Sequence, residues 1–371
     1  ARLKQPAVKY GSKQAHFHEL LRDGNNIVIT HELFSRLSIT ESETKLIEDY
    51  GYRLFIDETV AVIEPLDVTR SDKEVILEKF VEVDEVTGLV RWTDKEYSGK
   101  YDDIRRQIDS KAVIYFSDSL FLWLLPVDLL RSFKDITVMT FLFEGSHMKH
   151  YLELHGMQYT EYHIIRKDEE SELVKGKQDL SEILPKLREL IDIYEGDLND
   201  IGDADNALSH TWQTGKKSKE NMRVLEKNAR NFLETRCGAK ADTMLWSKYR
   251  GNTKANEKPT LCGRYYSTAW LACSAVATNK YKDRKHLAYL INSYENPFVV
   301  RWFKSHGVEL NQDASALSQM LQWIWRSAIR EGEPISLYLP SSRMRKLLYH
   351  FLQHGTLPQI AWDVEELDFS A

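Results

Sequence analysis

An acidic pair at the end of an apolar segment is the first feature of this sequence that could support chemistry. Leu54, Phe55 and Ile56 are followed directly by Asp57 and Glu58. A buried strand that ends in two carboxylates can hold a magnesium ion through water and orient a second water for attack. An acidic residue that merely begins a loop after a strand gives the same pattern. Asp57 is thus a candidate magnesium ligand and Glu58 a candidate catalytic residue, with both interpretations open.

A second candidate lies near the C-terminus, where a glutamine precedes two arginines. Gln322, Arg326 and Arg330 follow one another at intervals of four residues. A helix with about 3.6 residues per turn would place all three on one face. A polar amide and two permanent cations on one face can bind a polyphosphate or a nucleic-acid backbone, and surface ion pairs are the alternative. We expect the neighbouring Trp323 and Trp325 to pack into the core.

Hydroxyl side chains at two predicted strands extend the set of candidates. The segment 26–30 predicts a short strand that ends in Thr30, with His31 next. A threonine in this position can contact a phosphate, or it can simply cap the following helix. Thr140 lies in a second predicted strand, 136–143. Its hydroxyl could couple the nucleotide state to a movement, or the residue could be an ordinary β-branched strand former.

Polar and basic residues in the second half of the chain suit a nucleic-acid backbone. Thr278, Asn279 and Arg284 form a polar turn before a predicted strand, 286–291. Such a turn allows a phosphate backbone to approach closely, although an ordinary turn has the same composition. Basic side chains are also concentrated in 215–258. The formal net charge of −6 excludes coating of nucleic acid by bulk charge, but it permits a local basic groove.

A scaffold of alternating strands and helices is predicted around these residues. Helices are expected over 32–50, 71–80 and 342–354. Strands are expected at 52–56, 111–116, 136–143, 190–194, 270–273, 286–291 and 335–339. Alternation of this kind is typical of parallel sheets that helices cover on both faces. The length of 371 residues suits two such α/β domains.

Two polar regions interrupt this alternation. The region 70–110 resembles an insertion or a small hairpin rather than core. The charged segment 166–177 is either a linker or a solvated loop.

The composition narrows the class of protein further. Hydrophobic residues make up 42% and charged residues 29% of the chain, as in ordinary globular proteins. We expect no membrane helix, because no apolar stretch reaches about 18 residues, and no signal peptide, because the first residues lack an apolar region. Three widely spaced cysteines support neither a zinc ribbon nor a disulfide framework. A cytoplasmic location is therefore expected.

The order and spacing of these segments resemble those of the superfamily 2 helicases, in particular their DEAH-like branch. Thr30 precedes the strand of Asp57 as a threonine precedes the Asp-Glu strand in that family. Thr140 corresponds to the third helicase motif, and the segment 277–284 resembles the fifth. The segment 322–330 is similar to the sixth motif, a glutamine followed by spaced arginines. The overall pattern is similar to that of helicase-like proteins encoded by phages and prophages.

This resemblance implies a fold and an activity. It implies two RecA-like domains, 1–160 and 186–371, joined by a linker, 161–185, with an insertion in the first domain. ATP and Mg2+ are the implied cofactors, with Asp57 holding the metal through water and Thr140 coupling hydrolysis to movement. The implied catalytic residues are Asp57, Glu58, Gln322, Arg326 and Arg330.

The implied partner is nucleic acid, DNA rather than RNA, in phage replication or recombination and together with the proteins of those processes. The resemblance implies no membrane partner and a cytoplasmic location, which is the cytoplasm of the bacterial host if the protein is phage-encoded. The implied nucleic-acid contacts are Thr30, His31, Thr278, Asn279 and Arg284.

The sequence departs from the helicase pattern at three points. The phosphate loop G-x-x-x-x-G-K-[ST] is not found, so it would have to come from residues before Ala1. Ile329 stands where the family has its arginine finger, one position before Arg330, and Thr59-Val60 replaces Ala-His after the acids. Two alternatives therefore stay open. One is a non-catalytic helicase-like module for DNA binding or protein docking, and the other is the motor subunit of a restriction-type complex.

Overall fold

The computed structural model describes residues 2–8, 11–109, 112–117, 120–167, 170–215, 218–250, 259–263, 269–275 and 278–356. The α-helices within these residues are α1 (Lys13–Arg22), α2 (His31–Ser35), α3 (Glu41–Tyr50), α4 (Arg70–Lys79), α5 (Asp102–Asp109), α6 (Val127–Ser132), α7 (His147–Leu154), α8 (Ile183–Leu190), α9 (His210–Thr214), α10 (Ser218–Arg230), α11 (Pro297–Ser305), α12 (Gln312–Ile324) and α13 (Ser342–His354). Within the described ranges, no helix combines the length and the apolarity needed to cross a bilayer.

The strands are short and separate these helices. They are β1 (Arg53–Asp57), β2 (Ile63–Pro65), β3 (Val81–Val83), β4 (Val90–Trp92), β5 (Val113–Phe116), β6 (Leu120–Leu124), β7 (Asp135–Met139), β8 (Tyr162–Lys167), β9 (Glu170–Lys175), β10 (Ile191–Ile193), β11 (Met244–Ser247), β12 (His286–Tyr289) and β13 (Ile335–Tyr338).

The chain divides into two compact units. Unit 1 consists of Ala1–Gln158 and Asn296–Leu310, and unit 2 consists of Tyr159–Glu295 and Asn311–Ala371. Both units contain parallel strands together with helices. The predicted class, tandem α/β with parallel sheets, is therefore confirmed.

Unit 1 contains a parallel pair of strands beside antiparallel ones. β1 pairs with β7 in parallel, so that Arg53 lies opposite Asp135 and Asp57 opposite Met139. β2, β6 and β5 form an antiparallel sheet in that order, and β3 pairs with β4 as a hairpin. The hairpin agrees with the expectation for 70–110. The same region nevertheless contributes fully buried side chains to the core, among them Ile76, so its description as lying outside the core is wrong.

Helix α11 belongs to unit 1, although it follows β12 of unit 2 in the chain. Trp302 and Phe303 are buried in the core of unit 1. The ring of Phe303 lies 6.0 Å from that of His147 on α7, and the ring of Trp302 lies 6.4 Å from that of Tyr151. The chain thus leaves unit 2, adds a helix to unit 1 and returns for α12. The contiguous domains predicted from the sequence do not include this excursion.

Unit 2 is built on a parallel sheet with the strand order β10-β13-β12-β11. Side chains in three of its strands are fully buried, as in parallel sheets that are covered on both faces, for example Leu245, Leu287 and Leu337. After β13, Pro340 and the N-cap Ser341 lead into α13, which ends at Gly355 in a left-handed conformation. These boundaries agree with the helix predicted over 342–354.

Two predicted strands are reduced to single bridges. The segment 26–30 forms one parallel bridge, between Ile27 and Lys4. The segment 270–273 forms one bridge, between Trp270 and Trp246. Neither bridge extends to a neighbouring residue pair, so neither segment forms a regular strand. A run of strand-forming side chains was therefore not sufficient to predict a strand.

Two other segments differ from the secondary structure that the sequence predicted. The expected helix 32–50 is split into α2 and α3, because Thr40 and Glu43 form a capping box that starts a new helix. The charged segment 166–177 contains residues of two strands. Within its described part, it contributes to the antiparallel hairpin of β8 and β9.

Replacing Phe303 with alanine should destabilise unit 1 rather than unit 2. The side chain is fully buried in the core of unit 1, and truncation of a buried phenylalanine costs about 3–5 kcal/mol. Hydrogen exchange followed by mass spectrometry should show faster exchange in β2 and β6, with β10 to β13 unchanged. The exposed Lys304→Ala on the same helix is the control. Faster exchange confined to unit 2 would contradict the assignment of α11.

Candidate functional sites

The parallel pairing of β1 and β7 brings an acidic and a hydroxyl side chain together. Both strands end at the same edge, where Asp57 lies opposite Met139. The backbone N–H of Glu58 donates to the Met139 carbonyl at 2.9 Å. The Thr140 Oγ1 donates to Glu58 Oε2 at 3.0 Å. Two residues that the sequence singled out from distant segments are therefore in direct contact. We call this edge, with Asp57, Glu58 and Thr140, the acidic edge.

The backbone at the acidic edge departs from ordinary conformations. Glu58 has a φ of 68°, and Leu142, shortly after β7, has a φ of 55°. Left-handed conformations cost a residue with a side chain roughly 1–2 kcal/mol. Strained residues of this kind are found preferentially at functional sites, where the surrounding structure holds them in place. The bond from Glu58 to Met139 and the contact with Thr140 contribute to holding Glu58 here.

Asp57 is exposed at the last position of β1. Its carboxylate makes no hydrogen bond or ion pair with any described residue. The neighbouring side chains of Phe55 and Met139 are 63% and 51% exposed, so this edge of the two strands is open to solvent. The described residues contain no group of three or more His, Cys, Asp or Glu side chains that could enclose a metal. Magnesium, however, is commonly held by one or two carboxylates together with substrate phosphates. The donors at the acidic edge fit that mode of binding.

Thr30 caps helix α2 in the structure. Its hydroxyl accepts the Leu33 N–H at 3.2 Å, and His31 is the first residue of the helix. The helix-cap interpretation that the sequence left open therefore describes its local role. A contact of Thr30 or His31 with nucleic acid stays a prediction.

The prediction that Gln322, Arg326 and Arg330 share one helix face is wrong. α12 ends at Ile324, so Gln322 is the only one of the three in this helix, and Arg330 lies in a separate 3-10 helix, Ala328–Glu331. Ser327 is buried, and its Oγ donates to the Ile324 carbonyl at 2.6 Å, which satisfies a group at the helix end. The next N–H along the chain, that of Ala328, donates to the carbonyl of Arg284 and cannot continue the helix.

The two tryptophans next to these residues behave differently. Trp323 is buried and its Nε1 donates to the Leu271 carbonyl at 3.2 Å. Trp325 is 45% exposed, so the expectation that it packs into the core is wrong. The early end of α12 turns its side chain away from the core.

The break after α12 nevertheless brings several candidate residues together. Arg330 Nη1 donates to Asn279 Oδ1 at 2.5 Å. Arg284 Nη1 donates to the Ala241 carbonyl at 2.7 Å, while the Arg284 carbonyl accepts the Ala328 N–H at 2.9 Å. Because these segments precede β11, β12 and β13, the cluster lies at the amino ends of the strands. Rossmann-like sheets usually bind ligands at the carboxyl ends.

Two further candidates lie in the same part of unit 2. Thr278 Oγ1 accepts the Lys280 N–H at 3.3 Å, a local turn contact. Arg326 is half-buried, and its Nε atom is buried without a hydrogen bond to any described residue. Ala277, which the sequence placed in the same motif, lies outside the described residues.

At the carboxyl ends of the unit 2 strands, the structure shows a buried cation that the sequence did not indicate. Arg343 is 8% exposed and Asp313 is 1% exposed. Arg343 Nε and Nη2 donate to Asp313 Oδ1 at 2.9 and 2.5 Å. Its Nη1 donates to Asn292 Oδ1 at 2.9 Å and to the Ser293 carbonyl at 2.8 Å. Arg343 thus joins the segment that leaves unit 2 before α11 to the segment that returns after it.

We call the contacts of Arg343 with Asp313, Asn292 and Ser293 the arginine clasp. Neighbouring polar groups add further hydrogen bonds around it. Asn292 Nδ2 donates to the carbonyls of Asp205 and Ala207 at 2.9 and 3.0 Å. Tyr249 Oη donates to the Asn292 carbonyl at 3.3 Å. Burial raises the pKa of Tyr249, so its phenol remains a neutral donor. The run Ser341 to Arg345 at the start of a helix is the local signal beside this cation, but such a run suits anion binding as well as a buried ion pair.

The geometry places unit 2 among the Rossmann-like α/β domains, and comparison with known proteins agrees. Residues 185–352 match the family described as the YonV C-terminal Rossmann-like domain, and residues 63–123 match the YonV middle domain. A curated relative, the SPbeta prophage-derived uncharacterized protein YonV of Bacillus subtilis (strain 168), is 35% identical over 351 residues. This match covers 91% of the chain and 82% of the relative. The chain therefore belongs to the YonV family.

These matches bear on the resemblance deduced from the sequence. The likeness to prophage-encoded proteins is confirmed by the relative, whereas neither matching family is described as a helicase. The middle-domain match includes the region 70–110 that the sequence assigned to an insertion. No solved structure matches the chain.

Replacing Arg343 with methionine should strongly destabilise unit 2. The substitution leaves Asp313 buried without its cation, and breaking a buried ion pair in this way costs about 3–5 kcal/mol. Urea-induced unfolding monitored by hydrogen exchange in β12 and β13 measures the loss. The double variant Arg343→Met/Asp313→Leu should be more stable than the single variant, since both charges are removed. The exposed Lys346→Met on the same helix is the control. Equal stability of the single variant and the control would refute the clasp.

Proposed function

We propose that the acidic edge of unit 1 binds the phosphates of ATP together with magnesium, and that the protein is an ATP-dependent translocase acting on DNA in phage replication or recombination. The observation that carries the proposal is the contact of Thr140 Oγ1 with the Glu58 carboxylate where two parallel strands end. The superfamily 2 resemblance of the motif order and the prophage-derived relative add support.

Each residue of the acidic edge has a separate role in this proposal. Asp57, exposed and without a partner among the described residues, holds magnesium through water. A magnesium ion held there would supply neutralisation of phosphate charge, as in other phosphoryl-transfer sites. Glu58 accepts a hydrogen bond from the attacking water and orients it. Thr140 acts as a positioning residue, because its hydroxyl donates a hydrogen bond to one carboxylate oxygen of Glu58.

The proposal also gives roles to candidate residues outside the acidic edge. The superfamily 2 resemblance assigns Arg326 and Arg330 to the stabilisation of negative charge on phosphate, and Gln322 to a contact with the nucleotide. Arg330 is exposed and oriented by its bond to Asn279. The nucleic-acid backbone is contacted by Thr30, His31, Thr278, Asn279 and Arg284.

A second candidate function is a non-catalytic module that binds nucleic acid. It is favoured by one observation, that the 371 residues contain no G-x-x-x-x-G-K-[ST] loop to cradle the phosphates. The use of Thr30 as a helix cap is consistent with it. This candidate retains the backbone contacts of unit 2 and gives the acidic edge no catalytic role.

Replacing Glu58 with glutamine separates the two candidates. If the acidic edge is catalytic, DNA-stimulated ATP hydrolysis should fall by about 100-fold or more, because the orienting carboxylate is lost. Thr140→Val should reduce turnover less, since it removes only the positioning contact. Glu64→Gln, an exposed glutamate on β2, is the matched control and should leave turnover unchanged.

The outcomes differ for the two candidates. Wild-type turnover that persists in Glu58→Gln would overturn the catalytic assignment of the acidic edge. Tight DNA binding by the wild-type chain without any ATP turnover would favour the non-catalytic module instead.

A further inference from the structure

One exposed face of α10 in unit 2 carries a row of cations. Lys219, Arg223 and Lys227 are all exposed and follow one another at intervals of four residues. Each interval corresponds to a rise of about 6 Å along the helix, so the row extends over about 12 Å. The opposite face is anchored by the buried Leu225 and Ala229. We refer to these three cations as the α10 row.

The α10 row lowers the stability of its own helix. Like charges four residues apart repel each other, and the row contains two such pairs, Lys219 with Arg223 and Arg223 with Lys227. Lys219 also lies in the first turn, where the helix dipole disfavours a cation.

Other helices of this chain place opposite charges at that spacing, as in Arg36 with Glu32 and Lys149 with Glu153. The repulsion in α10 therefore calls for an explanation outside the helix.

The acidic residues of α10 do not neutralise the row. Glu226 is engaged elsewhere, because its carboxylate pairs with Lys248 and accepts the Cys262 N–H at 2.7 Å. Glu220 lies 4.0 Å from Arg223, with both side chains largely exposed, and such pairs contribute little. Lys219 and Lys227 make no ion pair with any described residue.

An open pocket adjoins the row and is lined by polar and apolar groups as well as by the cations. Its volume is about 880 Å³, and Ser218, Met222 and Cys262 contribute to its wall. A chain of negative groups passing along the row would therefore meet cations at regular steps, with a concave surface beside them.

We propose that the α10 row binds the phosphate backbone of a nucleic acid. This inference rests on the proposed function and specifies where its nucleic-acid partner is held. A row of cations at regular intervals suits a polymer with one negative charge per nucleotide.

A lipid surface fits the row less well, because interfacial helices insert a whole apolar face, whereas Leu225 and Ala229 of α10 are buried in unit 2 and Val224 is its exposed apolar residue. The sequence also placed Lys216, Lys217, Lys254 and Lys258 in this basic region, and they lie outside the described residues.

Neutralising the three cations tests the proposal in the full chain. The variant Lys219→Gln/Arg223→Gln/Lys227→Gln should bind a fluorescent single-stranded DNA oligonucleotide at least about tenfold more weakly in low salt. The slope of log affinity against log salt should become shallower by about 2, since three phosphate contacts are lost. Because the substitutions remove repulsion within α10, the melting temperature should stay the same or rise.

A matched control removes the same charge from other helices of unit 2. The variant Lys186→Gln/Arg188→Gln/Lys346→Gln neutralises three exposed cations of α8 and α13. It should retain the wild-type affinity and salt slope. Equal weakening by the two triple variants would show a response to net charge alone and would overturn the assignment to α10.

The remaining outcomes separate failure of the row from failure of the proposed function. If the unmodified chain binds DNA and the α10 variant binds it equally well, the assignment of DNA binding to the α10 row is overturned and the proposed function still stands. A wild-type chain that binds no DNA overturns both. Binding to vesicles of anionic lipid that depends on the row, without DNA binding, assigns the row to a membrane surface and also overturns the proposal. ATP turnover without DNA should be unchanged in the α10 variant.

Discussion

Parallel strand pairing is the constraint on which the candidate sites of this protein depend. Strands that run side by side in the same direction end at the same edge, whatever the distance between them in the chain. The pairing of β1 with β7 places Glu58 beside Thr140, which lies in a distant segment of the sequence. In unit 2 the same rule gathers the segments before β11, β12 and β13 at one edge, where Arg330 meets Asn279.

The cationic side chains of unit 2 occur in two opposite environments, one buried and one exposed. Arg343 is withdrawn from water and satisfied by Asp313, Asn292 and the Ser293 carbonyl. An unpaired guanidinium could not be buried in this position without a large desolvation penalty. The cations of α10 are left in water without such partners among the described residues. The contacts of Arg343 fix the chain where it leaves and re-enters unit 2. The exposed cations of α10 leave positive charge available to a partner.

Local patterns predicted much of the fold. The helix over 342–354 was recognisable because Pro340 ends a strand and Ser341 is a good N-cap, and both effects act within a few residues. The strand before Asp57 and the hairpin in 70–110 were recognisable in the same way. The end of α12 was not, because it depends on Ser327 and on a bond from Ala328 to Arg284, a residue distant in the sequence. Helical spacing alone therefore predicted that Arg326 and Arg330 share a helix face with Gln322, although α12 ends before both arginines.

The sequence by itself determined the α/β class, the acidic end of β1 and the identity of the side chains available for phosphate contacts. These follow from periodicity, capping and residue type, which are properties of neighbouring residues. Only the tertiary structure decided that Thr140 holds Glu58, that α11 joins the core of unit 1 and that Arg343 is buried. Each of these depends on contacts between segments far apart in the chain, and their free energy comes from packing and desolvation that no local pattern records.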